Sequence, residues 1–205
     1  MRSTRPIPGD PWPHDMVLRI DEPRELTSLL FVREAWRLAI DDVPALDGVP
    51  DVGASARPAG LGDAEAVERW RSEWARAWPR LAALREAMHA PQEERMRLLR
   101  GIAPDGQAAG RLSLGEGIDR DAFEAWHATL HDDHRLPLAE HPERICVEAL
   151  ADAWRAGLAS IVQLPYAGYH AERIDPATLV VSRTTRHDPA MYRRALATPV
   201  SRTEG

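Results

Sequence analysis

Two short runs decide the fold class of this chain: Ser160-Ile161-Val162-Gln163-Leu164-Pro165 and Thr178-Leu179-Val180-Val181-Ser182-Arg183-Thr184-Thr185. Both are rich in apolar and β-branched residues and bounded by turn formers, so both read as strands. The segment between them, Tyr166-Ala-Gly-Tyr-His-Ala-Glu-Arg-Ile-Asp-Pro-Ala177, reads as the loop of a hairpin. A third run, Met16-Val-Leu-Arg-Ile20, can add an N-terminal strand to a small antiparallel sheet. Almost everything between residues 23 and 157 carries helical periodicity instead. The expectation is a mainly α, α+β fold, with a core of about five to six helices and this small sheet.

The helices announce themselves by spacing. Pro23 suits the first turn of a helix to about Ile40, with Leu26, Leu29, Val32, Trp36, Ala39 and Ile40 on one face and Phe31 and Leu38 on the other. Apolar on two sides, it is expected to lie centrally. Asp63 caps the longest helix, to about Ala90, where Val67, Trp70, Trp74, Ala77, Leu81, Leu84 and Met88 keep 3-4 spacing across a kink at Pro79. Its Trp70, Trp74 and Trp78 read as core packing rather than a stacking platform, with Trp78 the most exposed. Shorter helices follow at Gln92–Arg100, around Ile118–His134, from Pro142 to about Gly157, and after Asp188-Pro189 from Ala190 to Ala197.

Residues 1–13 hold four prolines and read as a flexible arm; residues 14–205 read as one globular domain. The Pro/Gly/Ala-rich stretch 41–62 is a long loop, either mobile or an arm that packs Val43, Leu46 and Val49. The glycines between Gly101 and Gly117 make a connector, since they lack the Lys-Ser/Thr of a phosphate-binding loop.

Composition narrows the function classes. All 26 basic residues are arginine, and the net charge is −6, which argues against a general nucleic-acid binder. From residue 161 onward the balance turns mildly positive, with six arginines against four acids. The single cysteine, Cys146, allows no internal disulfide and reads as a small core residue. No apolar h-region opens the chain and no run is long enough for a membrane span, so cytoplasm is the expected location.

The helix around Phe123 is the chief candidate for chemistry. At about 100° per residue, Glu124, His127 and His131 share a strip along the edge of its buried face. The i, i+4 pair His127 and His131 has the spacing that lets two imidazoles hold one ion, and Glu124 can ligate or orient. His89, in Glu86-Ala-Met-His89, is a further ligand candidate. Together these histidines form a set faintly similar to that of the DinB-like metal-binding helical bundles. The similarity covers three residues and the C-terminal strands depart from it, so no family is assigned. A divalent metal (zinc, iron or manganese) at Glu124, His127, His131 and His89 would imply hydrolysis by an activated water, with Asp132 or Asp133 as base. The plainer reading makes them polar residues at a core boundary.

A second candidate set lies at the C-terminal end. Tyr169, His170, Arg173, Arg183 and Arg186 bring aromatic and cationic groups together on a long loop and the strand after it, a combination that can grip an anion. No Gly-x-Ser-x-Gly elbow surrounds any serine. With no complete catalytic motif, the leading expectation is a non-catalytic binding or interaction protein with a protein or small-molecule partner. The alternatives are the metal-dependent hydrolase and, least favoured by charge, a nucleic-acid or anion binder.

Overall fold

A computed structural model describes residues 11–102, 115–130 and 136–200. The described chain holds eight helices and a four-stranded mixed sheet, an α+β fold. Contacts divide it into two compact units: Met1–Glu22, Pro44–Gly48 and Ala128–Gly205 form one, and Pro23–Val43 with Val49–His127 the other. No helix among the described residues is long and apolar enough to cross a membrane.

The first unit is built on the sheet, in the order β1 (Arg19–Asp21), β2 (Ser160–Leu164), β4 (Thr178–Ser182), β3 (Ala171–Asp175). Strands β1 and β2 run parallel, as do β2 and β4; β3 pairs antiparallel with β4 at the edge. Every residue of β2 and β4 is buried, which is why both read as unbroken apolar runs. One face presents Ile161, Leu179 and Val181 to α6 (Val147–Arg155) and α8 (Pro189–Leu196), whose Leu150, Ala153, Tyr192 and Ala195 complete the core.

Two sequence expectations change here. The runs at 160–165 and 178–185 do not form a hairpin with each other. They are parallel neighbours, and the intervening segment supplies the hairpin partner, β3. About a dozen residues is what a parallel crossover needs, and here five of them form an edge strand. Strand β3 escaped notice because its pattern is inverted: Arg173 is on the buried face and Ile174 is 40% exposed. The second run also ends early, at Ser182, whose Oγ accepts from the Thr185 amide and caps the short helix α7 (Arg183–His187).

Two short helices replace the single one expected from Pro142. They are α5 (Pro142–Ile145) and α6, separated at Cys146, whose backbone leaves helical geometry. The Cys146 thiol is buried and donates to the Pro189 carbonyl at 3.6 Å, and burial pushes its pKa up. It is a core residue, as its spacing suggested.

The second unit is helical: α1 (Arg24–Ala35), α2 (Asp63–His89), α3 (Gln92–Ile102) and α4 (Arg120–Ala128). Leu26 to Arg33 are all buried in α1, in keeping with a helix apolar on two sides. It stops before Ile40 because Arg37 turns left-handed at φ 52°, letting the Leu38 amide reach back to the Arg33 carbonyl at 2.9 Å. Trp70 is fully buried and donates its indole N–H to the Leu29 carbonyl at 2.6 Å. Trp74 stacks on it at 5.1 Å and Trp78 meets Trp74 edge-on, both half-buried.

The stretch 41–62 is an ordered arm. Asp119 Oδ2 accepts from the Ala54 amide, Ser55 Oγ accepts from the Asp119 amide, and Ala56 donates to the Gly117 carbonyl. Asp119 Oδ1 meanwhile takes the amides of Asp121 and Ala122, capping α4. Val43 is buried, but Val49 is 88% exposed and so is not an anchor. The arm readings of 1–13 and the glycine connector fall largely on residues outside those described.

Candidate anion-binding pocket

The five C-terminal candidates are spread over the sheet unit and do not converge on one site. Arg186, on α7, is committed to structure. Its Nε and Nη2 grip both oxygens of Glu143 at 2.8 and 2.9 Å, and Nη1 donates to Gln163 Oε1 at 2.9 Å. Tyr192 adds a hydroxyl hydrogen bond to Glu143 at 3.1 Å, and Gln163 passes the chain on to Glu22 at 2.8 Å. Burial pushes the Glu143 carboxyl up, but the hydrogen bonds and charge of Arg186 outweigh it and hold the group below the ordinary value. The same burial and the Glu143 charge drive the Tyr192 phenol well above its ordinary range.

Arg183 is exposed at its tip and donates to the Thr129 carbonyl at 3.3 Å. Tyr169 lies under the Arg194 guanidinium, 4.6 Å from ring centroid to Cζ. His170 packs edge-on against Tyr166 at 4.9 Å, and its amide donates to Thr185 Oγ1. Its ring Nε2 is buried with no hydrogen bond, 3.9 Å from Glu172. Burial lowers the ring's pKa, and Glu172 only partly restores it.

Arg173 is different. It sits on β3 in register with Leu179, on the face turned to α6 and α8, and only 4% of it is exposed. Nη2 donates to the Pro176 carbonyl, but Nε is buried without a partner. Desolvation lowers its pKa, offset only in part by Asp175. Arg173 lines a cavity of about 460 Å³ walled by α6, the end of α8 and the residues that follow to Val200.

The cavity exists because one face of α6 is built from small residues. Ala149, Asp152, Ala153 and Ala156 follow helical spacing and leave space where bulkier side chains would fill. Arg193 is a second cation on the wall, with its guanidinium on the carbonyls of Pro189 and Ile145. Asp152 pairs with Arg155 at 2.7 Å. The lining thus offers positive charge and apolar surface, the means of holding an anion. Asp152 and Arg193 were missed in the sequence, where the only hint was the alanine spacing of α6. Nothing in one dimension brings that face next to β3.

The metal candidates lie elsewhere. Glu124 and His127 are both on α4, but Glu124 accepts from Arg24, which lowers its pKa, and His127 packs on the Phe123 ring at 5.4 Å. His89 is the last residue of α2, and His131, like His134, lies outside the described residues. Among the described residues no three His, Cys, Asp or Glu side chains are grouped to hold a metal ion.

No family model, curated protein or solved structure matches the chain. The functional reading therefore rests on its own residues.

Proposed function

We propose that this is a non-catalytic binding protein whose sheet unit takes a small anionic ligand in the Arg173 pocket. The observation that carries this reading is Arg173 itself, a nearly buried guanidinium that lines a cavity and whose Nε–H has no hydrogen-bond partner. Arginine does not lose its proton in a protein, so it cannot escape burial by becoming neutral. Burying a charge without a hydrogen-bonded opposite partner is costly; Asp175 offsets that cost for Arg173 only in part, whereas Arg186 in the same unit avoids it with a two-pronged carboxylate. An anion in the cavity would give Arg173 what Glu143 gives Arg186.

The test is thermal unfolding of the full chain with millimolar acetate or inorganic phosphate, against chloride at equal ionic strength. A ligand that binds only the folded state stabilises it by about 2.7 kcal/mol at a hundred times its Kd. At least one of the two anions is expected to raise the wild-type Tm and to leave a folded Arg173→Met variant unmoved. Equal response to chloride, or an unchanged response in the variant, ends the proposal.

A further inference from the structure

We infer that the ligand of this pocket is a zwitterionic aliphatic amino acid, a step that rests on the anion-binding reading above. The cavity does not carry positive charge alone. Asp152 stands on its wall, and two helices end there: α6 at its cap Ala156 and α8 at its cap Ala197. A helix C-terminus carries the negative end of the helix dipole and favours a cation within its last turn. A cavity that presents a buried arginine, a second arginine held on backbone carbonyls, a carboxylate and two helix C-termini is suited to a molecule bearing both charges.

A phosphate or sulfate fits this set poorly. Its several acceptor oxygens call for many donors, and it would face the negative ends of both helices. An α-carboxylate needs fewer donors, and the Arg173 guanidinium, whose Nη2 also donates to the Pro176 carbonyl, is the group in the lining to meet it. An α-ammonium would share the Asp152 carboxylate with Arg155, its 2.7 Å partner, and lie near the two helix ends. Besides Arg193, held on two carbonyls, and Thr198, the rest of the lining (Ala149, Ala153, Leu196, Pro199 and Val200) is apolar and suits an aliphatic side chain. A volume of about 460 Å³ lies within the range of small-molecule sites and holds a single amino acid with water to spare.

The experiment is isothermal titration calorimetry of the full chain with four probes: L-leucine, 4-methylpentanoate, 3-methylbutylamine and inorganic phosphate. The methylpentanoate keeps leucine's carboxylate and carbon skeleton without the ammonium; the amine keeps the ammonium without the carboxylate. Leucine is expected to bind at least tenfold more tightly than each of the others. Arg173→Met is expected to weaken leucine at least tenfold. Asp152→Asn is expected to weaken leucine while leaving 4-methylpentanoate unchanged. A third variant, Ala149→Met, fills the cavity from a half-buried helical position without touching the arginine, and should block leucine even if Arg173→Met fails to fold.

Methylpentanoate or phosphate binding as tightly as leucine would overturn the amino-acid inference and leave the anion site standing. Binding of the amine alone, or of none of the four, would overturn both. In that case Arg173 is an inward-pointing charge that keeps the β3 edge from pairing with other chains.

Discussion

Arg173 and Arg186 are the same side chain in the same unit, equally buried, and their neighbours make them opposites. Arg186 is held by Glu143, and removing that carboxylate leaves a buried cation alone. Glu143→Gln is therefore expected to cost about 3–5 kcal/mol in urea-induced unfolding, and replacing both partners with apolar residues much less. A cost under 1 kcal/mol would mean that the pair is solvated. Because the folded Glu143 carboxyl lies below its ordinary value, its contribution is present at neutral pH and is lost as pH falls through the lowered pKa. His170 works in the other direction. Its folded ring resists protonation, so the unfolded chain binds the extra proton first, and stability falls as pH drops below the ordinary histidine value of about 6.5. The Tm of His170→Gln is expected to change less than that of wild type between pH 7.5 and 5.5; parallel curves would show that the ring does not carry this effect.

Among the elements, helix ends and the arm at 41–62 are set by local backbone chemistry that substitutions can probe. Arg37 occupies the left-handed position that closes α1, with both reverse hydrogen bonds made: Leu38 to Arg33 and Arg37 to Glu34. Glycine pays no steric penalty there, so Arg37→Gly is expected to stabilise the protein by roughly 0.5–1 kcal/mol, read as a higher denaturation midpoint. A loss of stability would show that the arginine side chain matters more than its backbone. Gly117 is the reverse case. It lies at φ +68°, and a Cβ would sit 2.1 Å from the Ala56 carbonyl oxygen. Gly117→Ala is expected to cost about 1–3 kcal/mol and to expose the arm around Ala54–Ala56 to limited proteolysis. An unchanged cleavage pattern would mean that the arm is held by other contacts. Pro79 shows that pattern can outweigh one lost hydrogen bond, because α2 runs through it without a break from Asp63 to His89.

Taken as a whole molecule, a chain with net charge −6 is expected not to be retained on duplex DNA or single-stranded RNA at 150 mM salt, a point that a gel-shift titration checks. Sub-micromolar binding with a steep salt dependence would reinstate the arginine-rich C-terminal end as a nucleic-acid surface. The α+β class, the long helix, the start and the all-round burial of the helix after Pro23, and the terminal helix capped by Asp188 were legible in the sequence. Hydrophobic periodicity and capping chemistry are local, and they survive in one dimension. What folding alone settled is pairing and surroundings. Strands β2 and β4 look like a hairpin until β3 takes the place beside β4, and β3 is masked because its inward position is an arginine. The cavity is likewise assembled from α6, the end of α8 and one residue of β3, segments that meet only in three dimensions. Whether an arginine is a bolt or a bare charge depends on which side chains packing brings within about 3 Å of it, and sequence spacing carries no such distance.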